Sequence, residues 1–596
     1  MSEAAQPQSG AAFGVTQSFS GRRWRLRTAD RERAAALVRA TGVSTSLAEL
    51  LAVRGIAADA VDDLLNPTMK RLLPEPNSLA DMARAVARTK LAIETGETIA
   101  IFGDYDVDGS CSAAIVQDFL HGIGCRTRVY IPDRMTEGYG PSAAAFATLL
   151  GEGATLVLTV DCGANAMAAM NAARDSGLDA IVLDHHAAEV LPPAFAHVNP
   201  NRVGDSSGLH QLCAAGVSFL FLVALNRSLR DGGWYLRARV EPPDLMAALD
   251  LVGLATICDV VPLTGVNRAF ARGGLARLGE GRRKGIAALA RIANATPPFT
   301  AYHAGFVFGP RINAGGRVGK CSLGVELLTG TTDEACEEAA LQLDLHNRER
   351  QAIEAVILED AIAMAARQEN APFLLAAQDG WHPGVVGIVA GRLKERFAKP
   401  AFVAGFEGGL GRGSARSVPG VDIGAMVRRA RERGIIETGG GHAMAAGFGL
   451  RPEQLDGFAA FLAEAFADAG GAIACAGDLD LDGALSPGGA NAVLAAEIGK
   501  LGPFGAGNPE PLWVLPDVTV AFADSVGRNH VRLRLSGGDG TRLDAIAFRA
   551  GGTPLGEGIL ASRGRRIHAV GRLRADEWNG RARVQLQIED AAAAEG

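Results

Sequence analysis

Four short apolar runs between residues 98 and 186 alternate with alanine-rich stretches of helical character. The runs are TIAIFGDYD (98–106), RTRVYIPD (126–133), ATLVLTVD (154–161) and DAIVLDHH (179–186). Connections of this length are typical of helical crossovers between parallel strands. The alternation therefore predicts an α/β fold built on a parallel sheet. Such sheets bind ligands beyond the carboxyl ends of their strands, so the residues after each run are the first candidates for a site.

The first run ends in three alternating carboxylates, Asp104, Asp106 and Asp108, within the segment DYDVDG. The segment resembles the start of an EF-hand loop, but the twelfth position of such a loop needs a glutamate and is Ile115 here. A solvated acidic turn is the other interpretation. Carboxylates so close together repel one another unless a cation is bound, which favours a metal site.

Further acidic and imidazole groups follow later apolar runs, at Asp161, at Asp184-His185-His186 and at Asp259. Taken singly, an aspartate after a strand is often a helix cap, and a lone histidine is often a core residue. Taken together, carboxylates with one or two imidazoles are suited to Mn²⁺ or Mg²⁺, whereas zinc favours more nitrogen or sulfur ligands. Their number is sufficient for two divalent cations about 3.5–4 Å apart.

The 596 residues exceed what one hydrophobic core usually supports, so several domains are expected. Residues 46–66 have apolar residues at helical spacing, and Asn66-Pro67 is expected to end that helix. The tract 333–369 contains no glycine or proline and predicts one helix of about 35 residues. Five short strand-like segments after residue 510 predict a small barrel of the OB type.

The formal net charge of −7 offers no general attraction to nucleic acid or to an anionic membrane. Any nucleic-acid site must be a local patch, and residues 528–590 supply one, with twelve arginines against seven carboxylates. Phe548 and Trp578 there are either base-stacking or core residues. The eight cysteines include no C-x-x-C pair, which predicts reduced thiols, and no apolar run has the length of a membrane span. The cytoplasm is the expected compartment.

The ordered motifs DYDVDG, VDCG, DHH and CDVVPL resemble the DHH phosphoesterase superfamily. The segments PRINAGGR (310–317), WHPGVVGIVA (381–390), GRGSARS (411–417), GGGHAMAAG and LGPFGAGNPEP (501–511) are similar to motifs of the RecJ-type single-strand-specific exonucleases. GRGSARS departs slightly, since the family often has glycine in the middle. The resemblance covers residues 46–590. The expected domains are an N-terminal extension (1–45), a DHH catalytic domain (46–332), a connecting helix (333–370), a DHHA1-like substrate-binding domain (371–470) and an OB-like DNA-binding barrel (471–596).

The resemblance also implies how two cations are held. Asp106 would bind one ion and Asp108 the other, with Asp161 between them and with His185 and Asp259 completing the second site. In full, the implied catalytic residues are Asp106, Asp108, Asp161, His185, His186 and Asp259, and the implied metal ligands are Asp104, Asp106, Asp108, Asp161, His185 and Asp259.

Three residues near the implied ligands have separate expected roles. Asp104 matches an acidic position of the family that either binds an ion or orients a ligand. Asp184 is expected to accept hydrogen bonds from the histidine pair, a support that metal-bound histidines generally require. His186 is expected near the scissile phosphate.

Phosphate-binding residues are expected at several places. Arg134 follows a strand at the sheet edge that carries the carboxylates and could form two parallel hydrogen bonds to a phosphate, with a surface ion pair as the alternative. The resemblance implies that this arginine binds a 5′-terminal phosphate. Two glycine-rich segments, around Asn313 and before His442, are interpreted as loops in which backbone approaches a ligand. The expected substrate-binding residues are Arg134, Arg311, Asn313, Arg317, Ser414, Arg416, Ser417, Gly441 and His442.

The resemblance implies a 5′–3′ exonuclease that hydrolyses single-stranded DNA by two-metal catalysis, releases 5′-mononucleotides and acts in DNA repair and recombination. Mn²⁺ or Mg²⁺ would be the cofactor, and a single-strand-binding protein and a helicase are candidate partners of a monomer. Two alternatives stay open. A DHH phosphodiesterase for oligonucleotides or cyclic dinucleotides would have little use for a basic barrel, and a non-catalytic DNA-binding relative would be expected to lack part of the ligand set.

Overall fold

The computed structural model describes residues 10–134, 136–368, 370–468, 477–527, 529–578 and 581–594. The described chain forms two compact units. The larger unit contains residues 74–262 and 269–468, and the smaller contains residues 10–73, 263–268 and 477–594. In these described ranges we find no helix with the length and apolar character needed to cross a bilayer.

The first sheet of the larger unit has five strands, all parallel, which confirms the fold predicted from the alternating pattern. Its strands are Thr98–Gly103, Arg126–Tyr130, Ala154–Val160, Asp179–Leu183 and Ala196–Val198. Thr98–Gly103 pairs with Arg126–Tyr130 on one side and with Ala154–Val160 on the other. The strand order therefore reverses at Thr98–Gly103, and a crevice is expected there at the carboxyl ends of the strands. The carboxylates of the acidic turn, residues 104–108, and Asp161 follow these ends.

Helices cover both faces of this sheet, which explains why its central strands are apolar on both faces. Ile99, Phe102, Leu156 and Leu158 are all fully buried. The helices of this part are Met82–Thr95, Val107–Gly122, Ala143–Gly151, Met167–Asp175, Ala214–Asp231, Trp234–Ala238, Leu249–Cys258, Val266–Gly279, Lys284–Ile292, Gly309–Val318 and Leu323–Thr329, with a π-helical segment at His303–Phe308.

The predicted connecting helix is confirmed as Asp333–Ala366, a helix of 34 residues capped by the Thr332 hydroxyl. It leads into a second, mixed sheet with one parallel pair and three antiparallel pairs. The strands are Leu374–Asp379, Ala401–Glu407, Leu410–Arg416, Thr438–His442 and Ala445–Leu450, and the helices are Pro383–Phe397, Ile423–Glu432 and Leu455–Asp468.

The two glycine-rich segments are not loops, contrary to the interpretation of the sequence. PRINAGGR lies in the helix Gly309–Val318, and the three glycines before His442 lie in the strand Thr438–His442. Apart from Gly440, their glycines are closely packed. A Cβ on Gly441, which has a φ of 145°, would lie 2.5 Å from the Ala445 carbonyl oxygen, and a Cβ on Gly424 would lie 2.6 Å from the Gly441 carbonyl oxygen.

The smaller unit contains the predicted five-stranded barrel. Its strands are Trp513–Val526, His530–Ser536, Arg542–Ala547, Arg566–Trp578 and Arg581–Ala593. Pairing of the first with the fourth closes the barrel. The accompanying short strands are Trp24–Leu26, Leu479–Leu481 and Gly483–Ala484, and the helices are Arg31–Thr41, Thr45–Val53, Val61–Leu65, Met69–Leu72, Ala492–Gly499 and Pro554–Ala561.

The N-terminal residues differ from the sequence prediction in two respects. Residues 46–66 form two helices because the first ends at Val53, before Gly55, which has a φ of 71°. Residues 46–73, expected in the catalytic domain, belong to the unit of the barrel, where Leu47 and Leu51 share a hydrophobic core with Trp513. The predicted boundary at residue 471 falls outside the described residues.

Candidate metal centre

The acidic turn is shaped by hydrogen bonds at the start of the helix Val107–Gly122. Asp106 caps this helix by accepting a hydrogen bond from the Gly109 amide at 3.0 Å. A Cβ on Gly109 would lie 2.4 Å from the Asp104 carbonyl oxygen, so only glycine permits this approach. The Asn313 side chain accepts a hydrogen bond from the Val107 amide at 3.0 Å. Asn313, expected at the substrate, therefore supports the turn.

Asp108 lies at the N-termini of two helices. Its carboxylate accepts hydrogen bonds from the Ala214 amide at 2.7 Å and the Ala215 amide at 2.8 Å, at the start of the helix Ala214–Asp231. Both helix dipoles favour a negative charge at this position. Burial nevertheless raises the pKa of Asp108. A neighbouring cation would compensate for the cost of burying the charge.

His185 brings the carboxylates of three separate segments together. Its Nε2 lies 3.4 Å from Asp161 Oδ1, 3.6 Å from Asp259 Oδ2 and 3.8 Å from Asp108 Oδ2. Asp161 has a φ of 59°, and Val260, directly after Asp259, has a φ of 58°. Such left-handed conformations are costly for these residue types and are concentrated at functional sites.

The donor set fits two divalent cations. Ligand atoms within 4.8 Å of one another occur in one group of Asp104, Asp106 and Asp161 and in another of Asp108, His185 and Asp259. Asp104 Oδ1, Asp161 Oδ1 and Asp259 Oδ2 are buried without a hydrogen-bond partner in the described structure. Such orphaned oxygens are rare unless an ion or water satisfies them. The sequence had named all of these residues as ligands.

Three carboxyl groups of the centre have pKa values above the usual range. Burial and the neighbouring carboxylates raise the pKa of Asp259 to about 9, and they raise the pKa values of Asp104 and Asp161 well above the usual range. A bound cation would reverse this effect because it stabilises the charged form.

Asp184 orients the histidine pair, as expected from the sequence. Its Oδ1 accepts hydrogen bonds from the His185 amide at 2.7 Å, the His186 amide at 3.2 Å and His186 Nδ1 at 2.8 Å, and its Oδ2 accepts one from the Ala164 amide at 3.0 Å. Although burial opposes ionisation, the hydrogen bond and charge of His186 hold the pKa of Asp184 at about 2. We assign Asp184 to the support of the histidines, the role that metal-bound histidines generally require of a neighbouring carboxylate.

Arg134, Arg317 and Arg416 form a positive cluster beside the acidic turn. Burial and the charges of Arg134, Arg350 and Arg416 lower the pKa of Arg317 to about 10. Burial also lowers the pKa of Arg416. Arg350 is paired with Glu354, whereas no ion pair within the described part of the chain joins Arg134, Arg317 or Arg416 to a carboxylate. Guanidinium groups without carboxylate partners are suited to bind an anion.

Other expected substrate residues make contacts within the protein. Arg311 donates to Asp344 Oδ1 at 2.9 Å and to the Val307 carbonyl at 2.8 Å. The buried Ser417 donates to the Val421 carbonyl at 2.7 Å. Ser414 accepts a hydrogen bond from Arg416 at 2.8 Å and belongs to the positive cluster. Arg311 and Ser417 thus stabilise the elements that carry the site.

His442 joins the centre from the second sheet. The exposed His442 side chain lines a cavity of about 500 Å³ together with His185, His186 and Asp259. The carbonyl oxygen of the preceding residue, Gly441, accepts a hydrogen bond from Arg428 at 2.6 Å. The structure therefore brings the histidine of GGGHAMAAG and the metal centre to one cavity.

The comparisons with known proteins match each part of this architecture. Residues 98–254 match the DHH family, N-terminal domain, residues 370–468 match the DHHA1 domain, and residues 481–590 match the RecJ OB domain. The chain is 33% identical over 580 residues to the "Single-stranded-DNA-specific exonuclease RecJ" of Bacillus subtilis, covering 96% of this chain and 71% of the relative. The chain belongs to the RecJ family. The resemblance stated from the motifs is confirmed.

Solved RecJ structures share the whole fold. A RecJ from Thermus thermophilus in complex with Mn²⁺ has a TM-score of 0.80 and 28% sequence identity, covering 96% of this chain and 80% of that chain. The same protein in complex with Mg²⁺ has a TM-score of 0.74 and 27% identity, covering 96% of this chain and 79% of that chain.

The sequence reasoning did not find the residues that support the histidine pair. Asn199 donates to the His186 carbonyl at 2.8 Å, and Asn201 donates to the His185 carbonyl at 2.7 Å. The Tyr139 hydroxyl donates to the Asp161 carbonyl at 3.1 Å. The two asparagines follow the strand Ala196–Val198, so the rule that drew attention to the carboxylates would also have drawn attention to them.

Proposed function

We propose that this chain digests single-stranded DNA in the 5′–3′ direction, hydrolysing phosphodiester bonds with two divalent cations and releasing 5′-mononucleotides in DNA repair and recombination. Membership of the RecJ family supports a metal-dependent nuclease with Mn²⁺ or Mg²⁺ as cofactor. The observation that carries the proposal is the convergence of the two ligand groups, in which three buried carboxylate oxygens have no hydrogen-bond partner in the described structure.

When bound, divalent cations supply Lewis-acid activation of water and neutralise negative charge on the reacting phosphate. In our assignment Asp104 and Asp106 would hold one ion, Asp108, His185 and Asp259 would hold the other, and Asp161 would be available to both. Asp104, Asp108 and Asp161 are buried, which supports the assignment because charge interactions are stronger away from bulk water.

His186 is placed near the scissile phosphate. Its Nδ1 is held by Asp184, which leaves Nε2 for a phosphate oxygen. Although burial favours the neutral ring, the hydrogen bond to Asp184 and its charge raise the pKa of His186 to about 9. A protonated imidazole donates a charge-assisted hydrogen bond to an anionic oxygen.

The positive cluster is assigned to the 5′-terminal phosphate. Within the described residues no carboxylate forms an ion pair with Arg134, Arg317 or Arg416, and the Ser414 hydroxyl lies 2.8 Å from the Arg416 guanidinium. A terminal monophosphate carries more charge than an internal phosphodiester, so the cluster discriminates a free end. Binding that end beside the acidic turn would place the first internucleotide linkage over the metal centre.

The barrel is assigned to the strand beyond the cleavage site. Phe548 is 50% exposed and therefore available for stacking on a base, whereas the side chain of Trp578 lies outside the described residues. The intact ligand set argues against a non-catalytic relative, and the barrel argues against a phosphodiesterase for small substrates. We propose a single-strand-binding protein and a helicase as partners, because they would supply single-stranded DNA. We further propose that the protein acts as a monomer in the cytoplasm.

The proposal is tested by incubating end-labelled single-stranded DNA, duplex DNA and a dinucleotide side by side with Mn²⁺ or Mg²⁺. We expect the long single strand to be degraded from its 5′ end and the duplex to persist. Asp161→Ala should abolish hydrolysis while DNA binding stays within a few-fold, because Asp161 touches no base. Asp175→Ala, at an exposed carboxylate paired with Arg174, is the matched control and should keep full activity. Nuclease activity near the parent level in Asp161→Ala would refute the two-metal assignment.

A further inference from the structure

Tyr105 lies in the middle of the acidic turn, between Asp104 and Asp106, and has no role in the assignments above. Its ring packs tightly against the helix Gly309–Val318. A Cβ on Gly316 would lie 2.8 Å from Tyr105 Cδ2 and 3.1 Å from Cγ. The absent side chain at Gly316 therefore provides the space that the ring occupies.

Arg134 is in contact with the same ring. The Arg134 Cζ lies 5.3 Å from the centroid of Tyr105, within the range of a cation–π interaction. The Arg134 backbone amide donates to Cys321 Sγ at 3.4 Å, which anchors the start of its side chain. Within the described residues the guanidinium has no carboxylate partner to fix its direction. The aromatic ring is therefore the contact that orients it.

We propose that Tyr105 is a positioning residue for Arg134, and that Gly316, Tyr105 and Arg134 form a stack that directs the guanidinium towards the terminal phosphate. The proposal rests on the end recognition proposed above. Because Tyr105 is part of the acidic turn, the stack would fix the terminal phosphate at a constant distance from the metal centre. It would thereby determine which linkage is cleaved.

The test compares kcat/KM for 5′-phosphorylated and 5′-hydroxyl single strands of the same sequence. The measured quantity is the ratio of the two values, which cancels any loss of overall activity. Tyr105→Phe keeps the ring and should keep the ratio of the parent protein. Tyr105→Leu removes the ring and should lower the ratio about three- to tenfold, the scale of a cation–π contact. Combining Tyr105→Leu with Arg134→Ala should lower the ratio no further than Arg134→Ala alone.

A second variant tests the stack without substituting a residue of the acidic turn. Gly316→Ala adds a methyl group that must displace the Tyr105 ring, and it should lower the ratio as Tyr105→Leu does. Gly391→Ala is the matched control, because a Cβ at this helical glycine meets no atom within 4 Å. It should keep the parent ratio.

The outcomes separate this proposal from the proposed function. A parent protein that prefers the phosphorylated strand, with an unchanged ratio in Tyr105→Leu and Gly316→Ala, overturns the positioning role alone. Additive losses in the double variant overturn it as well. A parent protein without preference for the phosphorylated strand, or without activity on single strands, overturns the end recognition or the nuclease function on which the proposal rests.

Discussion

Replacing Asp184 by asparagine changes one atom of a fully buried side chain and should weaken both the fold and the metal centre. Oδ1 accepts three hydrogen bonds and Oδ2 accepts a fourth. The side-chain oxygen of asparagine can take the place of Oδ1 and keep its three hydrogen bonds. Its amide group then faces the Ala164 N–H, so two buried donors oppose each other and neither has an acceptor.

The magnitude follows from these four bonds. A buried donor left without a partner costs about 1–3 kcal/mol, and each bond that loses a charged acceptor weakens by about 1 kcal/mol. Allowing for partial relaxation, we expect a loss of about 3 kcal/mol in the free energy of unfolding of the larger unit. That corresponds to a decrease of roughly 4 °C in its unfolding temperature, because the entropy of unfolding of a unit of this size is large. Because His185 loses its orientation, the affinity for Mn²⁺ should fall about 10–100-fold.

Scanning calorimetry of the cation-free protein and titration with Mn²⁺ measure the two effects separately. Asp205→Asn is the matched control. Asp205 accepts hydrogen bonds from the Ala80 and Ser207 amides at 2.9 Å each, but it is not among the groups of the metal centre. It should lower the unfolding temperature without changing the Mn²⁺ affinity. If Asp184→Asn binds Mn²⁺ as tightly as the parent protein, the supporting role assigned to Asp184 is wrong.

Three further outcomes are expected. The pKa of Asp259 is raised to about 9 from 3.8, so the cation-free protein should lose stability as the pH rises between these values. In calorimetry, Mn²⁺ should therefore raise the unfolding temperature more at about pH 8 than at about pH 6. Equal increases at the two pH values would contradict this. Val260→Gly should raise the free energy of unfolding by about 1 kcal/mol, measured in a denaturant titration. Glycine adopts the left-handed backbone without strain, and the Val260 side chain is 69% exposed, so little packing is lost. A loss of stability would show that the backbone at Val260 is not strained. Phe548→Ala should weaken the binding of a long single strand several-fold in fluorescence anisotropy but leave the rate of dinucleotide cleavage unchanged. Equal losses of binding and of cleavage would mean that the barrel is needed for folding.

Short-range sequence patterns predicted the parallel sheet, the long helix and the barrel, and they singled out the residues that converge at the candidate metal centre. Parallel strands must bring their carboxyl ends to one edge of the sheet, so Asp104, Asp161 and His185 could be placed together from the positions of the apolar runs alone. The long helix after Thr332 was equally accessible because it contains neither glycine nor proline.

The glycine-rich segments and the arginines required the tertiary structure. Glycine permits a turn, but it also permits a close approach between packed elements, and the sequence does not distinguish these uses. Gly316 and Gly441 both permit close packing, and they lie in a helix and in a strand where the sequence had predicted loops. Likewise, Arg311 and Arg317 belong to the same motif, yet Asp344 neutralises the first and leaves the second to the positive cluster.

Local periodicity and the identity of side chains were enough to predict the α/β class, the barrel, the family and the carboxylates and histidines that converge at the candidate metal centre. Which polar groups remain available to a ligand followed from the tertiary structure. That availability depends on partners far apart in the chain, as for Asp184 with Ala164, Asn313 with Val107 and Tyr105 with Arg134. A polar group that is already satisfied supports the site, whereas a buried one without a partner is free to bind a cation or a phosphate.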